Sequence, residues 1–239
     1  MKTADEIELE KSRESIASGD FAPLARRLED FLRNRTMRLT RDFSESVLQA
    51  IIESFSLDNQ GCMSELCLVV APANLKGEGH FGFVDLFFPP LPSIEPSTSV
   101  CIPVVELKNV AIVDLWRGTA GLSVAEPSTE MLLSLQEQLN TAQEPELLQK
   151  KLKYKDKGQW HMKSIQDLLT EAMQQVGKYL DTMKNGKYAG STPGIRDRRV
   201  VCEKGNDRLD GYVMLCIGGT KIIWFPAKKV STKYSFRAN

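Results

Sequence analysis

Histidines and long apolar runs are scarce in this sequence of 239 residues. Only two histidines occur, His80 and His161, which excludes a metal site built from several imidazoles. A helix that spans a bilayer needs about 20 consecutive apolar residues, and no run approaches that length, so we expect no membrane segment. The N-terminal stretch MKTADEIELEKSRES is charged throughout and lacks the apolar region of a signal peptide.

Cysteines are few, and they form an odd set of five without a CxxC pair. This pattern is not typical of a zinc site or of a disulfide framework. We therefore predict reduced core thiols in an intracellular protein of a reducing compartment. The five residues are Cys62, Cys67, Cys101, Cys202 and Cys216.

Net charge is zero, but the two parts of the chain differ in sign. Residues 1–149 contain 12 Lys and Arg against 23 Asp and Glu, whereas residues 150–239 contain 19 against 8. The charges either form solvated faces that cancel, or the C-terminal part builds a basic surface for a polyanion.

Apolar periodicity predicts a mixed α/β fold. The spacing in DFAPLARRLEDFL and RDFSESVLQAIIESF predicts two helices; in the second, Phe43, Val47, Ala50, Ile51 and Phe55 are expected to face a core. Three strands separated by Gly and Pro turns indicate an antiparallel meander, and a long helix followed by a hairpin at IGGTK completes the domain. The predicted strands are 65–71, 81–88, 99–110, 211–219 and 221–225, the long helix is 164–186, and RRVVCEK is a further strand candidate.

The domain division follows from the same pattern. We predict an N-terminal helical appendage at 1–39 and one domain at 40–239, interrupted by a helical insertion at about 111–158. Within the insertion, DLWRGTAGLSVAEPS is predicted to be a loop and PELLQKKLKY to be a helix.

Charged residues interrupt two of the apolar strands. Glu106 and Lys108 lie two apart in VCIPVVELKNV and therefore share a face, and Asp85 interrupts FGFVDLFF. If the two strands pair as a hairpin, Asp85 lies beside Glu106, and two adjacent carboxylates repel each other unless one holds a proton or both bind a cation. The alternative is a simple ion pair between Glu106 and Lys108 at a strand end.

Oxygen ligands from few protein groups suit Mg²⁺, and the backbone carbonyl of Leu107 is a candidate third ligand. A metal held by Asp85 and Glu106 polarises a phosphodiester and acidifies a bound water. Lys108 would then orient or deprotonate that water, or offset charge on the transition-state oxygens. The pattern therefore predicts a hydrolytic site.

The order of elements, together with FVDL and VELK, resembles the PD-(D/E)XK nuclease superfamily, whose core is a helix, a three-stranded meander, a helix and a strand. The resemblance covers about residues 40–110 and 163–225. It implies a restriction-endonuclease-like mixed sheet flanked by helices and a Mg²⁺-dependent endonuclease, with Mn²⁺ as a substitute. In that family the residues matching Asp85 and Glu106 bind the metal, and the one matching Lys108 assists the water.

Two helices add candidates through the resemblance. Many members have a metal-binding glutamate on the first helix; Glu45 is the candidate here and Glu53 the alternative. The long helix contains Gln175 and Tyr179, which resemble a Gln-x-x-x-Tyr pattern in the family and share a helical face. Gln175 is expected to bind a water or phosphate near the site, and Tyr179 to be a core residue.

The segment GYVMLCIGGTKIIWF further resembles a fungal and oomycete branch that includes C-terminal domains of Crinkler-type effectors. This implies DNA as the substrate and action in a nucleus, although the superfamily also contains RNA-directed and inactive members. The acidic stretch from Glu126 to Glu146 would repel DNA, so it either faces away, shields the site or binds a protein partner. Candidate phosphate contacts are Lys151, Lys153, Lys155, Arg198 and Arg199. Trp116 and Trp160 either stack on an unpaired base or, as we expect, pack in the core or on the surface.

Overall fold

The computed structural model describes residues 11, 14–34, 43–55, 62–71, 80–90, 100–120, 126–156 and 159–239. The helices with defined bounds are α1 (Ala22–Arg33), α2 (Glu45–Phe55), α3 (Ile112–Ala120), α4 (Thr129–Thr141), α5 (Glu144–Gln149) and α6 (Ile165–Met183). The strands are β1 (Met63–Ala71), β2 (His80–Phe87), β3 (Cys101–Val110), β4 (Lys151–Asp156), β5 (Gln159–Ser164), β6 (Gly194–Ile195), β7 (Val200–Lys204), β8 (Arg208–Ile217), β9 (Lys221–Ser231) and β10 (Tyr234–Ala238). Within this part of the chain, no helix is long and apolar enough to cross a membrane.

The centre of the fold is a mixed six-stranded sheet in the order β6-β1-β2-β3-β8-β9. β1, β2 and β3 form the predicted antiparallel meander, β3 and β8 run parallel, and β8 and β9 form a hairpin. The parallel pair requires a crossover connection, and α6 lies within it. The predicted α/β class with helices flanking a mixed sheet is therefore confirmed.

The sheet has a hydrophobic core on each face, as the alternation of β3 shows. Val104 lies in the core beneath α6, whereas Val105 and Leu107 lie in the core beneath α1 and α2. Successive side chains of a strand point to opposite faces, so a strand covered on both sides reads as a continuous apolar run. A charged side chain within β3 is for that reason costly unless it is paired.

The two N-terminal helices cover one face of the sheet. α1 buries Leu24, Leu28 and Leu32, as its periodicity predicts, and Glu29 accepts a hydrogen bond from the N–H of Ile222 in β9 at 2.9 Å. The helix of the predicted appendage thus packs directly on the sheet. The long α1 stripe includes Phe21, whose ring centroid lies 4.8 Å from that of Tyr212.

α2 differs from the prediction in which residues it buries. Leu48 and Ile52 are its fully buried residues, and Ala50, which was expected to face the core, is exposed. The reason is that the stripe at 48 and 52 is centred one position away from the predicted one, so that Val47, Ile51 and Phe55 only flank the core.

α6 covers the other face of the sheet. Its start is fixed by a capping box between Ser164 and Asp167, and its buried stripe includes Leu169, Val176 and Leu180. The helix ends three residues before Gly186, which has a φ of 74°. The hairpin at IGGTK is also confirmed, with Gly218 and Gly219 in the left-handed region. The strand candidate RRVVCEK forms β7, which pairs with β10 rather than with the main sheet.

Two predictions within residues 111–158 are wrong. Residues 114–120 of the stretch predicted as a loop belong to the helix α3, because Ile112, Val113 and Leu115 form an apolar face that packs in the core. Helix was also predicted through residue 154, but β4 begins at Lys151 and pairs with β5. The alternation Lys-Leu-Lys-Tyr has the two-residue period of a strand, and Leu152 is buried while Lys151 is exposed.

The cysteines are free thiols, of which Cys216 is buried and the other four are half-buried. Burial raises the pKa of Cys62 and of Cys216 to about 12 and that of Cys202 to about 11. These thiols stay protonated at neutral pH and are poor nucleophiles.

Candidate active site

Asp85 and Glu106 lie where β2 and β3 stop pairing. The ladder between these strands consists of the pairs Leu86–Val105 and Phe87–Val104, and the same register places Asp85 opposite Glu106. The carboxylate of Asp85 crosses to β3, where Oδ2 accepts the backbone N–H of Leu107 at 2.7 Å. The hairpin neighbourhood that the sequence predicts for the two acids is therefore present.

Burial dominates the electrostatics of Asp85. It raises the pKa of this carboxyl from 3.8 to about 6, and the repulsion from Glu45 and Glu65 acts in the same direction. The N–H of Leu107 and the ammonium of Lys108 oppose the shift because both stabilise the charged form.

Glu106 is the more deeply buried acid, with 1% of its surface exposed. Its Oε1 accepts a hydrogen bond from Lys108 at 2.7 Å, and its Oε2 is buried without a hydrogen-bond partner. Burial and, after it, the charge of Asp85 raise the pKa of Glu106 to about 7, against the opposing effect of Lys108. A buried carboxylate oxygen without a donor is rare in proteins and is available to a cation.

The ammonium of Lys108 lies among the oxygens predicted to bind a metal. It donates to Oε1 of Glu106 at 2.7 Å, to the carbonyl of Leu107 at 2.8 Å, and lies 3.4 and 3.5 Å from the two carboxylate oxygens of Glu45. Burial lowers the pKa of Lys108, but Glu106, Glu45 and Asp85 outweigh it and raise the pKa overall. The ion pair that the sequence left open as an alternative is thus present, and it occupies the centre of the cluster.

Glu45, rather than Glu53, is the glutamate of α2 that reaches this cluster. Glu45 is the first residue of the helix and pairs with Lys108, whereas Glu53 accepts a hydrogen bond from Gln49 at 3.2 Å. The start of α2 is tied to β3 by Asn109, whose side-chain amide donates to the carbonyl of Phe43 at 2.6 Å.

α6 brings Gln175 and Tyr179 to the other side of the cluster. The Gln175 side-chain amide donates to the Tyr179 hydroxyl at 3.0 Å. Burial raises the pKa of Tyr179, and the charges of Glu106 and Asp85 raise it further. The ring packs against Gly82 of β2, where an added Cβ would lie 2.6 Å from Cε1 of Tyr179.

The basic residues predicted to contact phosphate have different environments. Lys151 and Arg198 are exposed as expected. Lys153 is only 7% exposed, with its ammonium 5.0 Å from the centroid of the Trp160 ring, and the side chain of Lys155 lies outside the described residues. Nη2 of Arg199 donates a hydrogen bond to Oδ2 of Asp197 at 2.7 Å.

Arg199 also donates to the backbone carbonyl of Ser64 at 2.7 Å, so its guanidinium holds the 196–199 loop against β1. The buried position of Lys153 and the engaged guanidinium of Arg199 do not fit the phosphate-binding role expected of them. The sequence analysis predicted a helix at Lys153 and therefore could not place its ammonium beside Trp160 of the paired strand β5.

The predicted ligands suit a metal by the type of their donor atoms, but they are not arranged as a coordination sphere. Within the described residues, no group of three or more His, Cys, Asp or Glu side chains is arranged to hold a metal ion. The predicted ligands Asp85, Glu106, Glu45 and the Leu107 carbonyl are all oxygen donors of the type that Mg²⁺ prefers, and Oε2 of Glu106 has no other partner. Binding at this position would require the Lys108 ammonium to leave Glu106 and the Leu107 carbonyl.

Two neighbours of the cluster were missed by the sequence analysis. Asn109 follows the ELK segment as an ordinary polar residue, and only the fold shows that it holds α2. Glu65 contributes charge at Asp85 and has a φ of 52°. A left-handed conformation at a non-glycine residue has no signal in the sequence.

Comparisons with protein-family models, with curated proteins and with solved structures each found no match. The interpretation of the cluster therefore depends on its residues and their geometry.

Proposed function

We propose that this protein is a metal-dependent nuclease that hydrolyses phosphodiester bonds, with DNA as the favoured substrate. The supporting observation is the buried Glu106, which has one oxygen without a partner and lies beside Asp85 and Lys108 where two sheet strands separate. The chain order of α2, the β1–β3 meander, α6 and β8 corresponds to the order of the PD-(D/E)XK core.

Asp85, Glu106, Glu45 and the carbonyl of Leu107 would hold Mg²⁺, or Mn²⁺ in its place. A bound divalent ion supplies a Lewis acid for the phosphodiester and lowers the pKa of a bound water. The residues that hold it must be deprotonated, so the raised pKa values of Asp85 and Glu106 make binding weaker below about pH 7.

Lys108 supplies positive charge to the reaction. Because its pKa is raised, the ammonium stays protonated at neutral pH. This favours orientation of the attacking water and neutralisation of charge on the phosphate oxygens over proton abstraction. Gln175 holds the hydroxyl of Tyr179 beside the acids, where the hydroxyl can donate to a phosphate oxygen.

The test is cleavage of supercoiled and linear DNA with Mg²⁺ or Mn²⁺. We expect the wild-type chain to cut, and Glu106→Gln and Lys108→Ala to lose at least about a hundredfold in rate, as for removal of one electrostatic group in other active sites. Matched controls are Glu137→Gln on α4 and Lys204→Ala on β7, both exposed, which should cut at the wild-type rate. Equal cutting by all five chains would contradict the proposal. Parallel assays with RNA distinguish the two nucleic acids.

The second candidate function is a nuclease-fold module that binds nucleic acid or a protein without turnover. The observation that favours it is the position of Lys108, whose ammonium already pairs with the oxygens predicted to bind metal. This reading predicts no carboxylate-dependent binding of Mn²⁺, which separates it from the first.

A further inference from the structure

Two large aromatic side chains of β2 are exposed beside the candidate active site. Phe81 and Phe83 each have 46% of their surface exposed, and Phe83 is two residues from Asp85. Gly82 lies against Tyr179 of α6, and Val84 lies in the core beneath that helix. Because strand side chains alternate, Phe81 and Phe83 project together from the opposite face of β2.

Exposed arginines border this face. β6 pairs with β1, and Arg196, which follows β6, places its guanidinium carbon 5.0 Å from the centroid of the Phe81 ring. The backbone N–H of Arg196 donates to the carbonyl of Cys67 at 3.0 Å, which fixes the loop against β1. Arg198 is exposed on the same loop. Aromatic rings with adjacent guanidinium groups are the combination that binds single-stranded nucleic acid.

We infer that Phe81, Phe83 and Arg196 form a platform for single-stranded nucleic acid, with bases stacked on the rings and phosphates bound by the arginine. This inference rests on the proposed function, since Phe83 is two residues from Asp85 along β2 and a strand bound to the platform would lie beside the candidate active site. Residues two apart on a strand are about 6.6 Å apart along its axis, whereas bases along one strand of a duplex rise about 3.4 Å. The ring spacing therefore suits a strand whose bases are unstacked, and duplex bases have no free faces to offer.

The hairpin of β4 and β5 is the competing surface, because Trp160 and Met162 are also half-exposed. Two cations near it are already engaged, because Arg117 pairs with Asp114 and Glu126, and Lys163 pairs with Glu171 at 2.7 Å. Lys151 is exposed, but Lys153, which lies over the Trp160 ring, is buried. On β2, by contrast, two exposed rings lie side by side and the exposed Arg196 lies over one of them.

The platform is tested by anisotropy of a short labelled oligothymidylate in EDTA, where no cleavage occurs. We expect the double variant Phe81→Ala, Phe83→Ala to bind at least about tenfold more weakly, since stacking on one aromatic side chain is worth roughly that factor. An abasic oligonucleotide of the same length, which has no bases to stack, should bind the wild-type chain and the double variant equally. Leu133→Ala, which truncates an exposed apolar residue of α4, is the matched control and should bind as wild type.

Rescue by conservative substitution guards against a folding defect. The variant Phe83→Tyr keeps the ring and should retain affinity, and thermal unfolding should show the double variant folded. If the double variant is not folded, the single variant Phe83→Trp is used in its place. Titration with oligothymidylate should then quench the fluorescence of the added indole, because a base stacks on it. Absence of that quenching would contradict the inference.

Three results would overturn the inference: no binding of oligothymidylate by the wild-type chain, unchanged binding by the folded double variant, or loss of binding in Trp160→Ala alone. The binding assay is independent of the chemistry. If the double variant binds oligothymidylate more weakly but the wild-type chain does not cut DNA with Mg²⁺, the platform is retained and the nuclease proposal is rejected. If cutting depends on Glu106 but the double variant binds as wild type, the nuclease proposal is retained and the platform is rejected.

Discussion

The ammonium of Lys108 lies 2.7 Å from Oε1 of Glu106, a carboxylate whose other oxygen is buried without a partner. This ion pair is the main contact that stabilises the charge of Glu106, which would be costly to bury in the sheet without a partner. Because half of the carboxylate has no hydrogen bond, the arrangement is poorly optimised for stability, and such compromise is common where a site is built for binding or chemistry.

The first prediction concerns the pH dependence of stability in the presence of a chelator. The folded-state pKa values of Glu106 (about 7) and Asp85 (about 6) are above their ordinary values of 4.5 and 3.8. At pH values between the ordinary and the raised pKa values, the folded protein therefore binds more protons than the unfolded chain. The stability that this protonation contributes is fully present below about pH 4 and is lost as pH rises through 6 to 7.

We therefore expect the free energy of unfolding, measured with urea, to change less favourably between pH 4.5 and 8 in the wild-type chain than in Glu106→Gln, by roughly 3 kcal/mol. The variant removes the titrating group and keeps its shape. Parallel pH profiles for the wild-type chain and the variant would show that burial does not raise the pKa of Glu106.

Removal of Lys108 tests the ion pair itself. Lys108→Met should lower the free energy of unfolding at pH 8 by about 3 kcal/mol, because a buried carboxylate is left unpaired. The loss should be smaller at pH 5, where Glu106 holds a proton, and Glu106→Gln should recover stability in the Lys108→Met background.

Lys163→Met is the matched control for that experiment. Lys163 also lies 2.7 Å from a carboxylate, that of Glu171, but the glutamate is exposed. Its loss should cost less than about 1 kcal/mol at either pH. Equal costs for the two lysines would contradict the description of Glu106 as a buried charge.

A pair of glycines tests the contact between β2 and α6. In Gly82→Ala the new Cβ would lie 2.6 Å from the ring of Tyr179, so we expect a loss of about 1–3 kcal/mol in unfolding free energy. In Gly177→Ala, within α6, the nearest atom is Cδ of Lys228 at 3.8 Å, so we expect a gain of about 0.5–1 kcal/mol. Urea unfolding of both variants measures the difference, and a neutral Gly82→Ala would show that the Tyr179 ring is not held there.

The β1–β3 meander, the β8–β9 hairpin and the closeness of Asp85, Glu106 and Lys108 could be predicted from the sequence because their signals are local. Asp85, Glu106 and Lys108 each interrupt an apolar strand, and the Gly and Pro turns indicate which strands are neighbours. Register then followed from the antiparallel meander, and the pairing of Leu86 with Val105 places the two acids opposite each other.

The remaining features depend on tertiary contacts that periodicity does not encode. α3 was predicted to be a loop, although three apolar residues of its first turn fill the core. The contact of the Lys153 ammonium with the Trp160 ring requires the pairing of β4 with β5. Likewise, the sequence placed Lys108 beside the acids, but the contact of its ammonium with Glu45 requires the position of α2.

The most direct measurement is calorimetric titration of the chain with Mn²⁺ at pH 8, above the raised pKa of Glu106. We expect one carboxylate-dependent site per chain, lost in Asp85→Asn and in Glu106→Gln and retained in Glu137→Gln. Lys108→Ala should bind Mn²⁺ at least as tightly as wild type, because the ammonium no longer competes for the same oxygens. Absence of Mn²⁺ binding, or binding that survives both carboxylate substitutions, would contradict a metal-dependent site at Asp85 and Glu106.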